Sequence, residues 1–406
     1  MRGRVILFVY LPAFLCAVLL LIYFSPETAA FLYGIVAFLS PLWLPAGLAY
    51  LAWPLWLRFA RMRFVAGIPY TTIELKPGPE TPPTGKPMEL VFYSLYHRTE
   101  ITRKHYLMGH VRLPWSFEIY AHQGSVRFFV HLPEEHRAGF ESRFRAEFHD
   151  IEIYEVRDYS REIPFNPSTM EAVMREYTLA KPDPYPLRTY PSHEAAGRHD
   201  PFIDMLTDIS SAGASEHLLV SYIIRPHQRD RVSYFEDPRD TLHEDAHHVI
   251  AAIVGSRGEV RALPAAKQSL IAAIESALKK PSFDCGIRAL YLSTKGGFDT
   301  SRAQKLDALF SRFDDDDLNG FAAYDPAERA GFLAKESFAV MPHLKAKHAV
   351  ELYRRRAFFA PPYLGEQFVL NTEELATVFH LPQPGHGGIV GSGQRAKLEP
   401  PENLPV

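Results

Sequence analysis

The sequence predicts an α+β fold in which an N-terminal two-helix transmembrane hairpin precedes two ferredoxin-like (split βαβ) units and a disordered C-terminal tail. Two observations lead to this prediction. Two long runs without a charged residue open the chain, at residues 5–24 and 29–57. Behind them, strand-like and helix-like hydrophobic patterns follow one another in the order β-α-β-β-α-β, which is typical of the split βαβ unit.

The two uncharged runs favour a membrane hairpin over residues 1–63. Each run is at least as long as the roughly 20 apolar residues that a helix needs to cross a bilayer, and only the short segment around Glu27 separates them. Basic residues flank the pair on its outer sides: Arg2, Arg4, Arg58, Arg61 and Arg63. Because cations near span ends prefer the cytoplasm, both termini and the soluble domains are expected on the cytoplasmic side of the inner membrane.

Composition limits the class of protein further. The 406 residues carry a net charge of −3, which does not favour a general nucleic-acid-binding protein. Cys16 lies in the first predicted span and Cys285 in the soluble part, so the two cysteines are not expected to pair. A chain of this size without a disulfide framework fits a reducing compartment. This agrees with the orientation that the arginines predict.

The first ferredoxin-like unit is predicted over residues 64–160. β-Branched residues indicate its first strand, and apolar side chains at helical spacing indicate its helices. Two alternating stretches on either side of Gln123 and Gly124 indicate a β-hairpin. The predicted elements are a strand at 70–75, a helix at 88–96, strands at 116–122 and 126–132, a helix at 134–148 and a strand at 151–156.

A second unit of the same kind is predicted over residues 183–330, after a proline-rich linker at residues 161–182. A polar insertion is expected at residues 226–263. Residues 218–224 are apolar on both faces, as a central strand would be. The predicted elements are a strand at 185–190, a helix at 201–209, a strand at 218–224, a helix at 270–278, a strand at 287–293, a helix at 306–313 and a strand at 318–324.

Residues 331–380 are predicted to form a helical extension with a short strand. Its last helix carries the signature of a capping box, with Asn371 as N-cap and Glu374 as the acid three residues later. Residues 381–406 are rich in Gly and Pro and predict a flexible tail. The other elements expected in the extension are a helix at 346–355 and a strand at 368–370.

His243, Glu244 and His247 match the H-E-x-x-H pattern. On a helix the two histidines would share a face and hold zinc, with Glu244 as general base, which would make the chain a membrane-anchored zinc metallopeptidase. Asp245 places a charge inside the motif, and no third ligand follows at metzincin spacing. Conceivable third ligands are His217, His227 and Glu275. We favour a polar surface helix in an insertion and retain zinc catalysis as the alternative.

Two other motifs lack residues that their ligands require. Residues 315–320 begin like an EF-hand loop, but Pro326 occupies the position of the bidentate glutamate. Residues 388–393 have the G-x-x-x-x-G spacing of a phosphate loop, but Gln394 and Arg395 follow where Lys and Ser/Thr are needed. The sequence therefore predicts no nucleotide-hydrolysing motif, and no cofactor is expected.

The densest basic stretch of the chain lies among aromatic residues. Its candidate contact residues are Lys345, Lys347, Arg354, Arg355 and Arg356. Cations beside stacking rings suit nucleic acid, and cations also suit anionic lipid headgroups or a partner protein. A solvated helix face is the plain alternative. The sequence leaves these interpretations open.

Several segments of the chain are similar to those of a known group of proteins. The longest is FVLNTEELATVFHLP at residues 368–382; shorter ones are IEIYEVRDY (151–159), KPSFDCGIRALY (280–291), RRRAFF (354–359) and PPENLP (400–405). With the N-terminal spans, they resemble the membrane-anchored region of type IV secretion, conjugative DNA transfer coupling-type proteins from candidate-phyla-radiation (Patescibacteria) bacteria. In that family the region is a domain of unknown function that either stands alone or precedes an ATPase domain.

The resemblance implies a non-catalytic, inner-membrane-anchored docking or scaffold component of a type IV secretion-like apparatus that transfers DNA or protein. The implied partners are the lipid bilayer, copies of the chain itself and a coupling-type ATPase. In fused relatives the ATPase begins just beyond the PPENLP-like segment, so here it is expected on a separate polypeptide. Nucleic acid is retained as an alternative partner. The family offers no catalytic residues to carry over.

Overall fold

The protein is mixed α+β and is organised around one large antiparallel sheet, which confirms the α+β part of the predicted fold class. The chain consists of two compact units, Met1–Ala60 and Arg61–Val406. The computed structural model describes residues 26–96, 105, 107–228, 241–255, 263–329, 341–360 and 363–385.

The strands are β1 (Tyr70–Lys76), β2 (Trp115–His122), β3 (Ser125–Pro133), β4 (Glu152–Val156), β5 (Met170–Leu179), β6 (Glu216–Pro226), β7 (Ser282–Thr294), β8 (Phe321–Tyr324), β9 (Phe359–Ala360), β10 (Tyr363–Leu364) and β11 (Phe368–Asn371). The α-helices are α1 (Pro26–Ala66), α2 (Lys86–Leu95), α3 (Arg137–Glu147), α4 (Tyr159–Glu162), α5 (Tyr190–Ala195), α6 (Pro201–Ser210), α7 (Thr241–Val254), α8 (Ala265–Leu278), α9 (Thr300–Lys305), α10 (Pro342–Arg355) and α11 (Thr372–Val378).

The predicted transmembrane hairpin is not supported by the structure. Its second apolar run lies within α1, which includes Pro41, Pro45 and Pro54 and continues without a break into the arginines that follow. Among the residues that the structure describes, no helix has both the length and the apolar character needed to cross a membrane. The first predicted span, at residues 5–24, lies outside the described residues.

The sheet of the compact unit Arg61–Val406 contains the same four-strand order two times. Its order is β4-β1-β3-β2-β6-β7-β5-β8, with β11 also paired to β7, and each pairing is antiparallel. The first four strands are arranged 4-1-3-2, and the next four show the same arrangement in reverse. β2 pairs with β6, placing Ile119 opposite Val220. The two halves therefore share one continuous sheet.

Helices α2, α3, α6 and α11 cover one face of this sheet and form its larger core. Phe379, which directly follows α11, is fully buried at the centre of this core. Its ring centroid lies 5.3 Å from that of Phe117 and 5.4 Å from that of Tyr222. Phe117 belongs to the first half of the sheet and Tyr222 to the second, so one aromatic side chain stabilises both halves. Burial of such a ring contributes roughly 1.5–3 kcal/mol.

The opposite face carries a second core, formed with α10, α4 and the segment that follows α10. Phe129 of the sheet packs here with Tyr353 and Phe358. Gly286 in β7 and Gly365 after β10 both lie against the Phe358 ring, and a Cβ at either position would overlap it. Glycine is therefore required at both positions to admit the ring.

Most predicted elements are present with small changes of boundary. The confirmed strands are those predicted at 70–75, 116–122, 126–132, 151–156, 218–224, 287–293, 318–324 and 368–370; the confirmed helices are those at 88–96, 134–148, 201–209, 270–278 and 346–355. The capping box is also confirmed, because Asn371 accepts from the N–H of Glu374 and donates its own N–H to the Glu374 carboxylate at 2.8 Å.

Three predictions about local structure were wrong. Residues 185–190 form no strand, and short 3₁₀ turns replace most of the helix predicted at 306–313. Residues 161–182, predicted as a linker, contain the last two residues of α4 and the ten-residue strand β5. Prolines on either side and the charge of Glu176 obscured this strand. In the structure Glu176 is completely buried because it forms an ion pair with Arg288 of β7.

We predict that Gly286→Ala lowers the free energy of unfolding by about 1–3 kcal/mol, because the added methyl group displaces the Phe358 ring from a packed core. Gly139→Ala in α3 is the matched control, since its Cβ position is open, and we expect it to stabilise the protein by about 0.5–1 kcal/mol. Urea unfolding of both variants measures the difference. Equal midpoints for the two variants would contradict the packing described here.

Candidate functional site

A groove runs beside the first half of β5 in the second unit, and we call it the β5 groove. It encloses a cavity of about 390 Å³, within the size range of small-ligand and peptide-side-chain pockets. Consecutive residues 170–175 of β5 line its base. Ala303 and Gln304 line it from α9, and Ala346 and Ala349 line it from α10. The α10 wall also includes His343, Lys345 and His348, so small and polar side chains share the two walls beside the strand.

Charged side chains lie at the two ends of the β5 groove. Asp325 accepts from Lys345 at 2.5 Å and lies 3.9 Å from the Arg175 guanidinium. Arg175 also forms an ion pair with Asp307. Lys295 is exposed at the other end, where its backbone N–H donates to the carbonyl of the residue before β5. One end is thus a neutralised ion-pair cluster, and the other end carries Lys295 together with the carboxylate of Glu171.

The structure separates the basic residues that the sequence analysis grouped together. Lys345, Lys347 and Arg355 are exposed on α10. Lys345 lies at the β5 groove. Arg355 is 62% exposed, and its Nε is 3.5 Å from Glu351 one turn earlier. These three cations do not form one cluster with the remaining two arginines.

Arg354 and Arg356 are directed into the protein. Arg354 donates to two backbone carbonyls at and after α4, at 3.1 and 2.8 Å. Arg356, only 7% exposed, binds both carboxylate oxygens of Glu118 at 2.8 and 3.0 Å and those of Asp158 at 2.7 and 2.9 Å. Its φ of 49° is in the left-handed region that non-glycine residues rarely adopt. The predicted contact role with nucleic acid or lipid therefore does not apply to these two arginines.

Glu118 belongs to a buried polar cluster on the line where β2 pairs with β6. Ser116 Oγ donates to Glu118 at 2.6 Å and lies 2.9 Å from Ser221 Oγ on β6. Burial alone raises the pKa of Glu118, but the Arg356 charge and its hydrogen bonds outweigh burial and lower the pKa below its usual value. The same balance lowers the pKa of Asp158 to about 2. Both carboxylates are therefore held in their charged form.

A second buried ion pair fixes the end of α10 on the sheet. Arg288 and Glu176 are both 0% exposed and lie 2.8 Å apart. Arg288 also donates to the backbone carbonyls of Leu352 and Ala357 at 2.9 and 2.8 Å. Since Arg356 binds the other half of the sheet, the RRRAFF segment is attached to both halves.

The H-E-x-x-H residues lie on α7, where His243, Glu244 and His247 are exposed while Leu242 and Ala246 are buried. This arrangement agrees with the interpretation as a polar surface helix. In the part of the chain that the structure describes, no group of three or more His, Cys, Asp or Glu side chains is placed to hold a metal ion.

Two of the conceivable third zinc ligands have structural contacts elsewhere. His217 stacks on His122 with ring centroids 4.3 Å apart, and burial, assisted by the His122 charge, lowers its pKa to about 4. His227 lies 2.6 Å from Asp284, a buried carboxylate that Arg225 and Arg112 also contact. Burial opposes ionisation of Asp284, but these cations lower its pKa well below the usual range.

The sequence analysis missed the β5 groove because it placed the whole of β5 in a linker. One signal was present: Met170, Ala172 and Met174 alternate with residues that face the other side of the sheet. The walls of the groove come from α9 and α10, which are distant in sequence. No local pattern indicates that these helices meet at β5.

No protein-family model matches the chain, and the search of curated proteins finds no match either. The resemblance to conjugative-transfer proteins accordingly stays a prediction.

We predict that Arg356→Met lowers the free energy of unfolding by about 3–5 kcal/mol, because it leaves the buried Glu118 and the half-buried Asp158 without their cation. Arg355→Met removes an exposed neighbouring arginine and should change stability by less than about 1 kcal/mol. Chemical denaturation of the two variants provides the comparison. Similar losses in both would show that Arg356 does not have the structural role assigned to it.

The same cluster predicts acid sensitivity. A carboxylate whose pKa is lowered on folding stabilises the protein above its unfolded pKa of about 4, and this stabilisation disappears as the pH falls through the folded pKa, about 2 for Asp158. The free energy of unfolding should therefore decrease between about pH 4 and pH 2, by on the order of 2 kcal/mol for Asp158 alone. In Asp158→Asn this part of the pH dependence should be smaller. Parallel pH profiles for the two proteins would refute the assignment.

Proposed function

We propose that this protein is a non-catalytic docking component that is attached to the inner membrane and works in a type IV secretion-like apparatus, with its folded part in the cytoplasm. The observation that carries the attachment is the exposed apolar surface of α1. The assignment to a transfer apparatus rests on the sequence segments that resemble conjugative-transfer proteins.

The surface of α1 supports contact with lipid. Phe31, Phe38 and Leu42 are 70%, 83% and 74% exposed, and an extensive apolar surface of this kind marks a site of lipid or protein contact. Arg58 and Arg63 are exposed towards the end of the helix, where they suit anionic headgroups.

We infer further that each half of the sheet is a ferredoxin-like unit. The strand order 4-1-3-2, the antiparallel pairing, and α2 and α3 packed on one face support this inference for the first half. In the second half, α6 follows β5, and the short helical segments from α9 onward precede β8. A fold of this type does not by itself imply a particular chemistry, which is consistent with a docking role.

The proposed partners are a coupling-type ATPase and further copies of this chain. A specific interface with either would bury on the order of 1,200–2,000 Å². Internal contacts hold Arg354, Arg356 and Arg288 in place. They make the fold rigid, which supports a docking role. Lys345, Lys347 and Arg355 are the outward cations left for headgroups or nucleic acid.

We predict that the full-length protein floats with vesicles of phosphatidylcholine and phosphatidylglycerol in a density gradient. The double variant Phe38→Glu/Leu42→Glu should lose most of this association, because two carboxylates on the apolar surface of α1 oppose burial in lipid. Tyr93→Glu is the matched control, since Tyr93 is 62% exposed on α2, and it should float like the wild type.

Equal flotation of the double variant and the wild type would contradict attachment through α1. The same gradient tests the apparatus: a coupling-type ATPase encoded beside this chain should float only when the wild-type protein is present. An ATPase that stays at the bottom of the gradient while the protein floats would leave the attachment intact and refute the proposed partner.

A further inference from the structure

We propose that the first half of β5 is an acceptor edge on which an extended peptide of a partner protein pairs as an additional strand. The inference rests on the proposed docking role in assigning the groove to a partner. It names the kind of partner segment that the site recognises, namely a single extended strand with a terminal acidic residue.

The pairing of β5 is complete on one side and partial on the other. β7 pairs with β5 from Met170 through Tyr177. On the opposite side, β8 pairs only with Glu176 through Leu179, and the chain then turns into the 3₁₀ segment Pro326–Arg329. Among the described residues, Met170 through Arg175 therefore have a partner strand on one side only.

The backbone pattern identifies which groups face the groove. The N–H of Ala180 donates to Gly320 on the β8 side at 2.9 Å, whereas the carbonyl of Thr169 accepts from Lys295 on the β7 side at 2.9 Å. Because successive residues of a strand direct their backbone groups to opposite sides, Ala172 and Met174 face outward. An incoming strand would pair with these two residues.

Neighbouring contacts define the limits of this acceptor edge. The N–H of Met170 donates to Asn166 within the preceding turn at 2.8 Å. Arg175 donates to the carbonyl of Met174 at 3.2 Å, which leaves that carbonyl's second lone pair for a peptide N–H. The edge thus spans about six residues, or roughly 20 Å of extended chain.

The shape of the site selects a single strand rather than a second sheet. α9 stands on one face of β5 and α10 on the other, so the edge is recessed between two walls. The edge of another copy's sheet, with helices on both of its faces, would meet these walls. A lone extended peptide does not, and its alternate side chains would contact Ala303 on one side and Ala346 and Ala349 on the other. Strand addition of this type derives affinity from main-chain hydrogen bonds and specificity from alternate side chains.

The charges select the chemistry of the peptide. At one end, Asp325 is already neutralised by Lys345 and Arg175. At the other end, Lys295 is exposed and forms no ion pair among the described residues, although the exposed carboxylate of Glu171 also lines this end of the groove. Because Thr294 lies opposite Met170, Lys295 is next to the point where β5 begins. A carboxylate at the corresponding end of the peptide would lie beside the Lys295 ammonium group.

The test uses full-length protein in detergent micelles without lipid, so that it is independent of membrane attachment. The ligand is a fluorescein-labelled nonapeptide of alternating threonine and valine with glutamate at one end. Two further versions are N-methylated at alternate residues, one set along each edge of the extended peptide. Binding is measured by fluorescence anisotropy.

We expect one N-methylated version to bind like the parent peptide and the other to bind at least about tenfold more weakly, because only one edge of the peptide donates to β5. Ala172→Pro should weaken binding of the parent peptide to a similar extent, since it removes an outward N–H and leaves the ladder to β7 intact. Ala323→Pro, on the outward side of β8 and outside the groove, is the matched control and should bind normally. Equal binding of both methylated versions, or no binding of the parent, would overturn the proposal.

Two further measurements locate the binding. Amide exchange of Ala172 and Met174 in the free protein should be at least about tenfold faster than that of Ala180, and the peptide should slow it selectively. Amides that are already protected in the free protein would show an edge that is occupied, which would overturn the proposal. Lys295→Glu should reverse the preference for glutamate over lysine at the peptide terminus. An unchanged preference would overturn the assigned peptide chemistry.

Discussion

The pairing of β2 with β6 is the contact on which the rest of the second unit depends. It extends from Trp115 opposite Ile224 to Ala121 opposite Leu218. Without it, each half of the sheet would expose the backbone of an edge strand, a state that proteins avoid because it promotes association. Both cores are built across this line. Phe379 contacts aromatic rings of both halves on one face, and on the other face the segment after α10 binds Glu118 in one half and packs on Gly286 in the other.

Buried charge determines how that segment is placed. A buried ion pair adds little stability relative to apolar side chains of the same size, but the loss of one partner is strongly unfavourable. Arg356 therefore has to lie beside Glu118 and Asp158, and Arg288 has to lie beside Glu176. This requirement explains why Arg356 is directed into the fold while its neighbour Arg355 stays exposed.

Local patterns in the sequence were sufficient for most elements of the fold, because strand alternation, helical spacing and the box of Asn371 and Glu374 act over a few residues. The β5 strand was missed because prolines flank it and because one of its two acidic residues, Glu176, is neutralised by an arginine more than a hundred positions away. The role of Arg356 was missed for the same reason, since its partner Glu118 is separated from it by 238 residues. The candidate groove depends on three elements that meet only in the folded chain. Its position follows from tertiary contacts, which the hydrophobic periodicity of the sequence does not indicate.

The continuity of the sheet has a mechanical consequence. Eight strands lie side by side from β4 to β8, and at about 4.8 Å per strand the line from β4 to β5 measures roughly 30 Å. The β2–β6 hydrogen-bond ladder lies in the middle of this line. Bending the sheet at that point would require these hydrogen bonds to break. The folded unit therefore acts as a stiff spacer: a load applied to its β5 end is transmitted to the far end as displacement of the whole body, with little internal bending.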